Sequence, residues 1–74
     1  MMNVGDLIID PETRDVGILI EINFRIRRYN YMNKPEPYRV LNVNGKAFWF
    51  GADYIEKHCE VISESRLEVI SKRT

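Results

Sequence analysis

The sequence has one cysteine, Cys59, so no disulfide can form within the chain. A lone thiol fits a reducing compartment such as the cytosol. Cys59 reads first as a small buried hydrophobe and only second as a reactive thiol. There is also no net charge: eleven Lys and Arg stand against eleven Asp and Glu. That removes any global attraction to nucleic acid or to a membrane surface. No apolar run approaches the roughly twenty residues that span a bilayer. The first five residues lack the basic start and apolar stretch of a secretory signal. There is no low-complexity tract. The echo between residues 60–63 and 68–71 is too short to be a repeat.

Chemical signatures are missing as well. His58 and Cys59 are neighbours, with Glu56 and Glu60 close by, but zinc needs three or four ligands at coordinating spacing. Adjacent strand residues point to opposite faces, so His58 is badly placed to activate Cys59. Asp6, Asp10, Asp15 and Glu21 are too scattered to form an acid and base pair. The sequence therefore predicts no catalytic residue, no metal ligand and no cofactor, and a protein that is not an enzyme.

What is present is a strong alternation. From Ile18 the apolar residues fall at every second place: Ile18, Ile20, Ile22, Phe24, Ile26. A period of two predicts a β-strand with one wet face. Its length, residues 16–28, predicts a strand that bends and serves two sides of a small barrel, with the isoleucines inside and the intervening arginines in water. Around it, residues 7–9 read as a short strand. Residues 10–15 form a connection built on Asp10, Pro11, Thr13 and Asp15. Residues 28–37, with two prolines and two asparagines, form a protruding loop. Residues 38–43 and 46–50 pair across Asn44-Gly45, the strongest turn signal in the chain. A two-residue turn there sets Leu41 opposite Phe48 and Val40 opposite Trp49. After Gly51 comes one helical turn at 52–57, anchored by Tyr54 and Ile55, and then a closing strand at 59–63. A turn at 63–66 leads to a tail whose residues 67–70 lean to a strand over a capped helix.

Seventy-four residues make one domain, with a core over about 4–62 and an extension at 63–74. So short a chain buries only roughly 60% of its unfolded surface, and a second subunit is one common remedy. The fold class expected is all-β: a small five-stranded barrel with one helical turn before its last strand.

Several strings carry a resemblance. Val4-Gly5-Asp6-Leu7-Ile8-Ile9, then Gly17-Ile18-Leu19-Ile20-Glu21-Ile22, Tyr38-Arg39-Val40, Trp49-Phe50 and Tyr54-Ile55-Glu56 resemble the SH3-like small barrel, including KOW-type modules. The chain also looks like compact barrels among small uncharacterised proteins of tailed bacteriophages. That likeness implies a phage structural or assembly component working in the host-cell cytoplasm. The Sm-like ring proteins are a related class, and likeness to them implies rings that bind RNA. This chain lacks their opening helix and their Arg-Gly pair, which separates an Sm-like backbone from Sm-type RNA binding. Fold alone does not fix function.

Two stretches are candidate sites. Residues 1–24 carry five acids and one base, whereas residues 25–39 carry five bases and one acid. Arg25, Arg27, Arg28, Tyr29, Tyr31, Lys34 and Arg39, with Tyr38, combine phosphate-neutralising charge with rings that stack on bases. The plainer reading pairs these bases with Asp6, Asp10, Glu12 or Asp15. The run Phe48-Trp49-Phe50 is apolar on both strand faces, so it reads first as a fully buried central strand and second as one whose spare ring serves self-association, through this run or an edge strand. The expected function is a self-associating interaction module, a homo-oligomer with room for a protein partner. Nucleic-acid binding through residues 25–39 is the alternative, and no membrane role is expected.

Overall fold

The computed structural model describes residues 2–63. The chain is mostly β: five antiparallel strands form one sheet in the order β4-β3-β2-β1-β5. They are β1 (Leu7–Ile9), β2 (Val16–Ile22), β3 (Tyr38–Asn42), β4 (Ala47–Phe50) and β5 (Glu60–Ile62), with a helical turn, Tyr54–His58, between the last two. The expected turn and tail strand after Ser63 lie outside the described residues.

Each boundary has a local cause. Gly5 takes φ 102° and leads into β1. Asp6 accepts the Asn3 backbone N–H at 2.8 Å, which closes that entry turn. Asp10 then accepts the Glu12 and Thr13 backbone N–H groups at 2.8 and 3.3 Å, turning the chain toward β2. The helical turn is wider than an α-turn: Cys59 N–H reaches back five residues to the Tyr54 carbonyl at 3.1 Å. It drops Ile55, 1% exposed, onto the sheet.

The long strand differs from expectation in two ways. It ends at Ile22 although the apolar alternation runs on through Phe24 and Ile26. Asn23 ends it, because its side-chain oxygen accepts the Arg25 backbone N–H at 3.1 Å and makes a local turn. The facing is also reversed. Leu19 is fully buried, whereas Ile18 and Ile20 are 45% and 36% exposed. The core is Ile8, Leu19, Tyr38, Val40 and Ile55, so the isoleucines of β2 do not line the interior as a set.

Gly17 explains the reversal. Its partners are Ile8 on β1 and Asn42 on β3, which puts positions 17 and 19 on the inner face. A Cβ at Gly17 would lie 2.5 Å from Val40 Cγ1 and 2.9 Å from the Leu41 carbonyl oxygen. Only a residue without a Cβ lets β3 come this close, so the row containing Gly17 is the packed one. A bulge between Leu19 and Glu21 then shifts the phase. Leu19 faces Val40 before it and Ile22 faces Tyr38 after it, which returns Ile22 to the core side. Gly17→Ala is expected to cost about 1–3 kcal/mol through overpacking, read by urea unfolding. An unchanged midpoint would mean that β2 and β3 stand further apart than described.

The hairpin is also one residue longer than expected. Arg39 faces Trp49 and Val40 faces Phe48, so Trp49 takes the outer face and Phe48 the inner. A type I′ turn needs two residues at positive φ. Here Gly45 has φ 78° and Asn44 is not in that region. Asn42 sets the longer loop by accepting the Asn44 and Lys46 backbone N–H groups at 3.0 and 3.1 Å.

Candidate functional site

Once the inner face is assigned, the outer face follows from the registers. Ile62 faces Leu7, Leu7 faces Ile18, Ile18 faces Leu41 and Leu41 faces Ala47. One apolar row therefore crosses all five strands on the side away from the core. Ile20 stands beside it at the bulge, and Trp49 flanks it on β4. Every member of the row is partly or well exposed. A solvated antiparallel face ordinarily alternates to polar residues, and a contiguous exposed apolar strip marks an interaction surface. The charged neighbours are few: Arg39 pairs with Glu21 at 3.8 Å and lies 5.9 Å over the Trp49 ring.

Three aromatic rings and a carboxylate link the sheet to the helical turn. Phe50 stacks on Tyr54 at 5.5 Å, and Tyr54 lies 5.3 Å from the His58 ring. The Tyr54 hydroxyl donates to Asp10 Oδ2, and His58 Nε2 stands 3.5 Å from Oδ1. The Tyr54 bond, followed by the Glu12 N–H, holds the Asp10 carboxyl below the usual carboxylate range. Burial first, and then Asp10, push the Tyr54 hydroxyl well above its ordinary value. Burial likewise raises the Cys59 thiol, and the nearby Asp10 charge adds to this. A hydrogen bond with Tyr54 acts in the opposite direction.

No known family, curated protein or solved structure matches this chain. Its site is accordingly read from geometry. Among the described residues, no group of three or more His, Cys, Asp or Glu side chains is placed to hold a metal ion. No helix among them is long and apolar enough to cross a membrane.

The basic and aromatic residues fall mainly on one arm, residues 23–37. Arg25, Arg27, Arg28, Tyr29, Tyr31 and Lys34 are all exposed there. Arg39 instead lies on β3. Arg39 pairs with Glu21, an acid of the 1–24 stretch, and two cations of the arm pair elsewhere. Arg28 stands 3.6 Å from Glu36, and Lys34 pairs with Asp53 at 3.1 Å. Lys34 and then Lys57 hold the Asp53 carboxyl below its ordinary range. Among the described residues, Arg25 and Arg27 have no ion pair. Tyr38 is buried in the core, where burial and then Glu56 raise its hydroxyl above the ordinary value. The Phe48-Trp49-Phe50 run is split: Phe50 packs on the core, Trp49 joins the outer face, and Phe48 faces inward yet is 49% exposed.

Phe48 is exposed because a cleft of about 350 Å³ opens on the inner face, running from residues 10–15 and 42–44 along β4 to Phe50 and the helical turn. Ile8, Val40, Phe48, Phe50 and Ile55 line it, with Asp10, Asp15 and Asn44 among its polar residues. The sequence reading missed both the cleft and the outer apolar row. The signal for the row was there: Leu7, Ile18, Leu41 and Ala47 occupy the strand phase opposite to Ile8, Leu19 and Val40.

Proposed function

We propose that this chain is a non-enzymatic interaction module with an SH3-like barrel fold, and that it self-associates through the outer face of its sheet. The strand order, the bulged second strand and the helical turn before the last strand support the SH3-like reading. The observation that carries the function is the apolar row through Ile62, Leu7, Ile18, Leu41 and Ala47. A two-fold pairing of such faces buries the row against itself, and an isologous contact of this kind closes at a dimer. It also suits a chain too short to be very stable alone.

Sedimentation equilibrium tests this with an outer-face variant, Ile18→Thr with Ile20→Lys. Both side chains point away from the core, so the monomer fold survives and urea unfolding of dilute protein shows it. The native chain is expected to dimerise at about 100 micromolar, and the variant to do so at least about tenfold more weakly, a loss of about 1.4 kcal/mol. A native chain that stays monomeric, or a variant that dimerises equally well, would overturn the reading.

A further inference from the structure

The arm at residues 23–37 is ordered by its own backbone. Tyr29 bridges to Pro35, and Glu36 N–H donates to the Arg28 carbonyl at 2.9 Å. At the tip the Asn30 side-chain oxygen accepts the Met32 and Lys34 backbone N–H groups at 2.9 and 3.1 Å. Asn33 takes φ 58°, the left-handed conformation that closes the turn. The returning limb is tied to the start of the helical turn. Ala52 N–H donates to the Pro35 carbonyl at 3.3 Å, and Lys34 pairs with Asp53 at 3.1 Å. A partner that docks here meets a surface already in place, which keeps the ordering cost low.

The charge of the arm is one-sided. Residues 23–37 carry four cations and one acid. Glu36 takes Arg28, and Asp53 takes Lys34. That leaves Arg25 and Arg27, both exposed and both without an ion pair among the described residues. Guanidinium groups in this condition suit an anionic partner, phosphate above all.

The same arm presents flat rings. Tyr31 is 96% exposed and Tyr29 54%. Beside Tyr31 a groove of about 400 Å³ runs between the arm and the helical turn, walled by Tyr31, Pro35, Phe50 and Tyr54. Its carboxylates, Glu36 and Asp53, are the two already paired with cations. Its amide is that of Asn30. With Oδ1 taken by two backbone N–H groups, Nδ2 faces Gly51 across the groove, where a Cβ would stand 3.9 Å away. A small groove with apolar walls and one amide donor fits a planar base whose carbonyl accepts that N–H. An acidic peptide would use the arginines but bring no planar group to the rings. Arg27 and Tyr31 are four residues apart, at most about 14 Å along the chain, so one short strand reaches both.

We infer that the arm binds single-stranded nucleic acid. Arg25 and Arg27 meet phosphates, and Tyr31 stacks on a base at the mouth of the groove, where Asn30 Nδ2 donates to it. None of these residues belongs to the apolar row of the outer face, so the inference stands apart from self-association. A duplex offers its phosphates but keeps its bases stacked inside, and so uses only part of the site.

Fluorescence anisotropy of short labelled oligouridylate and oligothymidylate, titrated with the full chain at low salt, tests this. Binding is expected with a Kd of about 10–100 micromolar. The tighter of the two strands tells RNA from DNA. The logarithm of the affinity is expected to fall with the logarithm of salt at a slope of about −1.4, two phosphates at about 0.7 each. Arg25→Gln with Arg27→Gln is expected to flatten that slope and to weaken binding at least about tenfold, whereas Arg25→Lys with Arg27→Lys keeps the slope. Tyr31→Ser is expected to weaken binding at least about fivefold, and Tyr31→Phe to retain it. Lys46→Glu, an exposed charge change away from the arm, should leave binding within about twofold. All the altered side chains are exposed, and circular dichroism melts confirm that each variant folds. The inference is overturned if neither strand binds at about 200 micromolar protein, if the glutamine pair leaves the slope unchanged, or if Tyr31→Ser binds like the native chain. A duplex of the same length that binds as tightly as the single strands removes the role of the bases and overturns it. An oligoglutamate peptide that binds equally well assigns the arm to acidic protein segments and overturns it too.

Discussion

Leu19→Ala is expected to remove about 3–4 kcal/mol of stability, whereas Ile18→Ala is expected to remove no more than about 1 kcal/mol. Leu19 is fully buried between Val40 and the rest of the core, so its truncation leaves a cavity that a small sheet cannot easily collapse into. Ile18 is nearly half exposed on the opposite face and leaves no cavity behind. The total stability of a domain this size is on the order of 4–11 kcal/mol. The Leu19 variant should therefore sit near the edge of folding at room temperature. Urea unfolding at a protein concentration low enough to keep both variants monomeric reads the comparison without a contribution from assembly. The reverse ranking, with Ile18→Ala the more damaging, would put the isoleucines inside and dismantle the outer apolar row.

Tyr54→Phe is expected to cost about 2 kcal/mol at neutral pH, the usual size of a hydrogen bond to a charged group. The hydroxyl spans 44 positions of sequence to reach Asp10, tying the helical turn to the turn before β2. The change removes one oxygen and leaves the stacking of the ring on Phe50 in place. The cost should depend on pH in a stated direction. The folded state holds the Asp10 carboxyl below its ordinary value of 3.8. A carboxyl lowered on folding contributes stability that is fully present above its unfolded pKa and is lost as pH falls through its folded pKa. The native chain should therefore lose stability from about pH 4 downward. The Tyr54→Phe chain should lose less of it, because its Asp10 is shifted less, and the two curves should converge in acid. A gap that stays constant from neutral pH to acid would mean that Tyr54 acts through packing alone.

The fold was partly legible from residue order. Leu7–Ile9 read correctly as a strand. The Asp10 connection, the hairpin around Gly45 and the anchoring of a helical turn by Ile55 also read from local chemistry, because turn residues act over two to four positions. Facing was not legible in the same way. In β2 the row of Ile18, Ile20 and Ile22 is more hydrophobic than the row of Gly17, Leu19 and Glu21, yet the second row packs the core up to the bulge. Alternation has two phases and hydrophobicity alone chooses between them only when one face is polar. Here both are apolar, and the decision came from the backbone approach at Gly17 and from the bulge. The extra hairpin residue had the same effect on Phe48 and Trp49, exchanging their faces through a side chain, Asn42, that lies outside the Asn-Gly pair. The Asp10–Tyr54 tie and the cleft were invisible because they join distant segments. The basic arm was legible as composition. Its pairing with Glu36 inside the arm and with Asp53 beside the helical turn was not.

The most direct measurement follows the isoleucine δ1 methyl groups by nuclear magnetic resonance, with a soluble paramagnetic relaxation agent added to dilute protein. Ile18 and Ile20 should be broadened strongly, Ile8 and Ile55 should be nearly untouched, and Ile18 should show cross-relaxation to Leu7 and Leu41. Protection of Ile18 and Ile20 in the monomer, with cross-relaxation to Val40 or Ile55, would contradict the account.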